Sequence, residues 1–296
     1  MEHKTSENKL IEIYCFVDEC VQFLNAYFQD HFPEHKHVYK SGLSMSEMVT
    51  IQVLYHLSGY KCFECFYKSL EYNYLGLYFP KLPNIKSFYE RQKKTSVYLI
   101  GVLLMKSSLS QKNGIFFIDS TKIEVCKPLR MSRNKTFRHY AKKSKTSTGW
   151  FFCFKLHLVI NELGEIVRYK ITTGDVADNN HELLKELLSG LHGKCFGDRG
   201  YISALFSMFY ENGLRLVTDL RANMKGQLID VNEGKLLKKR GLIEAVNDIL
   251  KSVCTLEHSR HRCVEHALQS MHAAVIAYCF LEKKPELILL HLLKAA

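Results

Sequence analysis

Three acidic residues in this chain combine a metal-ligating side chain with a local setting that could present it. Asp119 closes the apolar run Gly114-Ile-Phe-Phe-Ile-Asp-Ser-Thr121. Asp198 sits in Cys195-Phe-Gly-Asp-Arg-Gly-Tyr201, and Glu244 lies on the helix-patterned stretch Lys239 to Lys251. Carboxylates offered from two strand ends and one helix can converge on a pair of divalent cations, a geometry suited to in-line attack on a phosphodiester. Each residue also has a plainer reading. An Asp before Ser-Thr, or inside a Gly-flanked turn, is what a helix or turn cap looks like. A helix Glu four residues after an Arg is a common surface ion pair of little energy. Arg240, Glu244 and Lys251 at i, i+4 and i+11 share one helix face, which sets one candidate ligand between two cations.

The elements that must position these groups fall into two parts with a soft boundary near residues 109–113, so the chain is read as a helical domain over 1–112 and a second domain over 113–296. In the first, Ser44-Met-Ser-Glu47 has the capping-box pattern ahead of the apolar stretch Met48 to Leu57, and Gly59 is a stop signal. A further helix is predicted over Lys61 to Tyr74, a turn at Pro80 to Pro83, and another helix from Ser87. Such a set is compatible with a helix-turn-helix DNA reader and equally with a plain helical support.

The second part alternates strand and helix. Strands are predicted at Gly114–Asp119, Trp150–Ile160, Ile166–Thr172, Lys194–Gly197 and Leu214–Thr218, with a hairpin turn at Asn161-Glu-Leu-Gly164. Helices are predicted at His181–Leu191 and Leu205–Asn212, with a closing helix that carries Glu244. The fold class is α/β (α+β): a mixed sheet flanked by helices, in an order that resembles the ribonuclease H-like fold.

Charge points to the partner. The chain of 296 residues carries a formal net charge of +11 with 47% hydrophobic residues, which describes a globular protein with a polyanionic partner. From Ser120 to Lys155 ten Lys and Arg, among them Lys142, Lys143 and Lys145, face only Glu124. That field suits a phosphate backbone, although a charged loop kept soluble by its lysines would read the same way. The N-terminus is polar and unlike a signal peptide, and the longest apolar run, Val97 to Met105, is too short to span a bilayer.

Ten cysteines without a secretory signal imply reduced thiols in a cytoplasm. Cys62-Phe-Glu-Cys65 has zinc-ligand spacing but no second pair to complete a tetrahedral site. Cys254, His258, His261, Cys263 and His266 match no familiar finger, and Arg260 and Arg262 interleave with them as a basic surface would.

Taken in order, five motifs resemble the DDE transposases of bacterial insertion sequences, of the compact single-reading-frame kind. They are Asp-Ser-Thr at Asp119, Gly149-Trp-Phe through Lys155-Leu-His157, Gly-Asp-Arg-Gly-Tyr at Asp198, the Arg240–Glu244–Lys251 spacing, and His258-Ser-Arg-His-Arg262. Together they cover roughly residues 44–282. Related transposases often carry a Tyr three residues before the Arg; Leu237 stands there in this chain.

The resemblance implies an enzyme in which Asp119, Asp198 and Glu244 are the catalytic metal ligands for two Mg²⁺ or Mn²⁺ ions. It implies cleavage at the ends of the element and transfer of the freed strand into target DNA. Arg240 and Lys251 would bind DNA-end phosphates. Lys142, Lys143 and Lys145, His157, and Arg260 with Arg262 would line the DNA path. The expected partners are the element's terminal inverted repeats and target DNA, held by a homodimer in the bacterial cytoplasm, with no membrane. The other readings are a ribonuclease H-like nuclease that cuts without joining, a catalytically silent DNA-binding regulator, and, more remotely, a zinc-binding module.

Overall fold

The computed structural model describes residues 6–32, 42–146, 149–202, 204–219, 230–257 and 261–287. The chain divides into two compact units, Met1–Lys106 with Ile249–Leu281, and Ser107–Asp248 with Glu282–Ala296. This differs from one boundary near residue 112, because the chain returns to the first unit at Ile249.

The first unit begins with α1 (Glu7–His31), capped by Ser6, whose hydroxyl accepts from the Lys9 amide. Next comes α2 (Met45–Leu57), whose capping box forms as its sequence requires: Ser44 Oγ accepts from the Glu47 amide and the Glu47 carboxylate accepts from the Ser44 amide. Buried from Met45 to His56, α2 needs cover on every side and packs against α1 and α10. Two of its buried polar side chains find partners inside the unit: Gln52 Nε2 donates to Met48 O at 3.1 Å and Thr95 Oγ1 at 3.0 Å, and His56 Nδ1 donates to Cys254 O at 2.8 Å. The helix expected over Lys61–Tyr74 is the shorter α3 (Phe63–Ser69), followed by a 3-10 turn at Tyr74–Tyr78. Asn84 caps α4 (Ile85–Gln92), and α5 (Ser96–Ser108) follows. Among the described residues no helix is long and apolar enough to cross a membrane.

The second unit is built on β1 (Ile115–Cys126), β2 (Lys142–Thr146), β3 (Gly149–Asn161) and β4 (Ile166–Thr173). Then come α6 (His181–Leu188), β5 (Gly193–Gly197), α7 (Phe206–Glu211), β6 (Leu214–Thr218), α8 (Val231–Lys238) and α9 (Gly241–Ser252). The remaining helix, α10 (Val264–Cys279), belongs to the first unit, where Ala273 to Tyr278 are buried against α2.

The sheet order is β2-β3-β1-β5-β6, with β4 sharing the outer side of β3. β2 pairs with Gly149–Cys153 and β4 with Phe154–Ile160. The β1, β3 and β4 pairings are antiparallel, whereas β5 and β6 run parallel to β1. This is a mixed sheet, as the order of its elements suggested. Asn161 shapes the β3–β4 hairpin, its Oδ1 accepting from the Leu163 and Glu165 amides. Leu183, Leu184, Leu187 and Leu188 of α6 close one face of the sheet over Phe116, Ile118 and Val159.

α8 docks through a buried carboxylate. Glu233, 1% exposed, receives Lys194 Nζ of β5 at 2.9 Å and Arg215 Nη2 of β6 at 3.0 Å. Both charges on the sheet compensate its desolvation, and the docked helix fixes where α9 starts.

Candidate functional site

Asp119 does not end its strand as the sequence suggested. β1 continues to Cys126 because its ladder with β3 runs from Phe116 to Cys126, while the parallel ladder with β5 covers only Ile115–Phe117 against Lys194–Phe196. What ends near Asp119 is the parallel ladder. Asp119 and Asp198 each stand two residues beyond its last pair, Phe117–Phe196, at the carboxyl end of the parallel strands, where open α/β sheets collect functional groups.

Asp198 is both a cap and an available carboxylate. Its Oδ1 accepts from the Gly200 amide at 2.7 Å and opens a 3-10 turn at Arg199–Tyr201. Glycine at 200 is a matter of space. A Cβ there would lie 2.8 Å from Asp198 Oδ1, too close to stand without a shift, and 3.6 Å from Asp178 Oδ2.

Asp119 is half-buried, and Asn247 of α9 donates from Nδ2 to its Oδ2 at 3.1 Å. Burial pushes its carboxyl up to about 7; the negative charges of Asp198 and Asp178 push the same way, against the Ser120 amide and Arg240. Glu244 is 57% exposed, and its Oε1 meets Arg240 Nη2 at 3.1 Å. Arg240 itself lies in the turn before α9. α9 therefore reaches Asp119 through the amide of Asn247 and the field of Arg240, while the Glu244 carboxylate is turned to its own arginine.

Asp178, in the β4–α6 loop, went unrecognised in the sequence because Gly174-Asp-Val-Ala-Asp-Asn-Asn180 reads as an ordinary polar loop. Its Oδ1 accepts from Ser120 Oγ at 2.7 Å and from Lys155 Nζ at 3.3 Å. Tyr201 is 1% exposed, and its phenol is raised well above its ordinary value by burial and then by Asp178, Asp119 and Asp198, with Ser120 acting the other way. His157, expected on the DNA path, is instead wholly buried in β3, with Nε2 3.0 Å from Thr172 Oγ1 and its pKa lowered by burial to about 4. It cannot touch a DNA backbone.

These donors fit hard divalent cations. They are oxygens, two carboxylates approach Gly200 together, and the Oδ1 of buried Asn247 has no partner. No three acidic, His or Cys side chains already stand together as a ready cage among the described residues.

The other predicted contacts are dispersed. Lys142, Lys143 and Lys145 are exposed along β2, a strand their charge concealed, and the Lys143 and Lys145 ammonium groups lie 4.3 and 5.6 Å from the ring centre of Trp150. Lys251, in the last turn of α9, pairs with Glu257 at 3.1 Å. Arg262 is exposed, while Arg260 and His258 lie outside the described residues. Of that C-terminal cluster, Cys254 is buried and His266 stacks on Tyr89.

A family model described as "Transposase DDE domain" matches residues 109–264, from just before β1 through α9 to the first residue of α10. The chain belongs to that family, and its second unit carries most of the match. Among solved structures it is similar to a chain of the piggyBac transposase synaptic complex with hairpin DNA, determined by cryo-EM. The TM-score is 0.45 and the identity 8%, covering 93% of this chain and 72% of that one. No curated protein matches the sequence.

Proposed function

We propose that this transposase is the enzyme of a bacterial insertion sequence, cutting phosphodiesters at the element's ends and joining the freed 3′-OH to target DNA. The observation that carries the reading is the pair Asp119 and Asp198, set at matching positions past the parallel ladder in a chain of the DDE domain family. In this reading Asp119, Asp198 and Glu244 hold two Mg²⁺ or Mn²⁺ ions. When bound, such ions supply Lewis acidity, activating the attacking oxygen and neutralising charge on the phosphate.

The chain's own residues do the rest. Asn247 fixes the orientation of Asp119. Glu244 is exposed, so its pairing with Arg240 is weak and the carboxylate turns inward at little cost, leaving Arg240 to take a DNA-end phosphate. Lys251 adds a second phosphate contact. Lys142, Lys143 and Lys145 on β2, with Arg260 and Arg262, bind the backbone along the DNA path, and Trp150 between lysines suits a nucleic-acid surface. The first unit supports or reads DNA, and two copies hold two terminal inverted repeats in the bacterial cytoplasm.

The test is cutting and joining of a labelled fragment carrying the element's own ends, with Mg²⁺ or Mn²⁺, for the intact protein and for Asp119→Ala, Asp198→Ala and Glu244→Ala. The expected result is loss of both steps in all three variants with DNA binding retained. Cleavage without joined product would identify a nuclease, and binding without cleavage by the intact protein would identify a regulator.

A further inference from the structure

We propose that Asp178 is a fourth working carboxylate of this site, whose Oδ2 ligates a divalent cation beside Asp198 while its Oδ1 is clamped by Ser120 and Lys155. The proposal rests on the metal-dependent reading above. Four observations support it.

The two carboxylate oxygens of Asp178 have different surroundings. Oδ1 is committed, with Ser120 Oγ at 2.7 Å and Lys155 Nζ at 3.3 Å, and Lys155 is itself held by Val176 O at 2.8 Å. Oδ2 receives no hydrogen bond from a described residue and lies on the same side of Gly200 as Asp198 Oδ1: a Cβ at 200 would be 3.6 Å from the first and 2.8 Å from the second. A carboxylate fixed through one oxygen and open at the other is how a ligand is oriented by its surroundings.

A neighbouring polar atom is left open as well. His157 Nδ1 lies 3.7 Å from Asp178 Oδ1, is fully buried and has no hydrogen-bond partner. The buried Tyr201 hydroxyl stands close to Ser120 and feels the charges of Asp178, Asp119 and Asp198 together. A buried polar atom left without a partner beside a carboxylate calls for an explanation, and a ligand held by that carboxylate supplies one.

Placement agrees. Ser120 follows Asp119 on β1, and Lys155 faces Lys122 across the ladder with β3, so the clamp comes from the strands that carry the site. Like charges at Asp119, Asp178 and Asp198 repel in the absence of a cation, and a cation bound among them removes that repulsion. Glu244, turned to Arg240, is then a ligand recruited from the surface rather than one held in place.

The experiment is calorimetric titration of the full-length chain with Mn²⁺, without DNA, for the intact protein, Asp198→Asn and Asp178→Asn. The Asn at 178 keeps an oxygen to accept from Ser120 and Lys155, and circular dichroism checks the fold. The expected result is that Asp178→Asn weakens Mn²⁺ binding by about tenfold or more, as Asp198→Asn does. Native affinity in Asp178→Asn, with affinity lost in Asp198→Asn, overturns the role of Asp178 and leaves the metal-dependent reading standing. Failure of the intact protein to bind Mn²⁺ overturns both. Should Asp178→Asn not fold, Asp178→Glu decides by the same titration. It keeps the charge toward Lys155 but displaces the oxygens, so the same weakening is expected, and native affinity overturns the proposal.

Discussion

The side-chain amide of Asn247 donates to the carboxylate of Asp119 at 3.1 Å, tying α9 to the middle of β1 across most of the second unit's sequence. Its partner atom Oδ1 is buried and unsatisfied. Asn247→Ala is therefore expected to slow metal-dependent cleavage about tenfold to a hundredfold with DNA affinity unchanged. Cleavage rates read beside a gel-shift titration check this, and an unchanged rate would make the bond merely structural.

Asp119 also sets a pH dependence. Its carboxyl is raised by burial to about 7, against about 4 in an unfolded chain, so between those values the folded protein holds the extra proton. Stability of the metal-free protein should fall as pH rises from about 4 through 7, and Asp119→Asn should flatten that slope. Thermal melts in chelator from pH 5 to 8 measure it; a slope unaltered by the substitution would contradict the assignment.

Trp150 is the chain's sole tryptophan, half exposed beside Lys143 and Lys145. If this strand lies on the DNA path, adding DNA should quench its fluorescence. Lys143→Ala and Lys145→Ala should each lower the slope of log affinity against log salt by about 1. A signal indifferent to DNA would move the path elsewhere.

Gly193 adopts φ +114°, and a Cβ there would come 2.2 Å from Gly114 O, where β5 and β1 begin side by side. Gly193→Ala should destabilise the second unit by about 1–3 kcal/mol from backbone strain, with the clash adding to it. Urea unfolding gives the value, and native-like stability would mean that the strands can part without penalty.

Much of this architecture was legible where local chemistry and tertiary position agree. The capping box at Ser44 and Glu47, the Asn161 turn and the apolar β3 and β4 all form where the sequence places them. The remainder depends on pairing that no local pattern carries. Lys142–Thr146 reads as a solvated charged stretch, yet it becomes β2 because β3 offers it an edge. β1 passes through polar Ser120, Thr121 and Lys122 for the same reason. Asp178 looks like any loop aspartate until Ser120 and Lys155 are seen around it. His157 sits in a motif that suggests exposure, but β3 is covered on both faces from Leu156 to Ile160, and His157 is enclosed with its neighbours.

The return of the chain to its first unit after Asp248 bears on how the protein comes off the ribosome. α2, apolar on nearly every side, emerges early, whereas α10, the helix that covers it, is translated only after the whole sheet of the second unit. During that interval an adhesive surface stands open, which invites aggregation or a holding chaperone. Any truncated product that stops after the carboxylates would keep its chemistry on paper and still carry an unfinished helical unit.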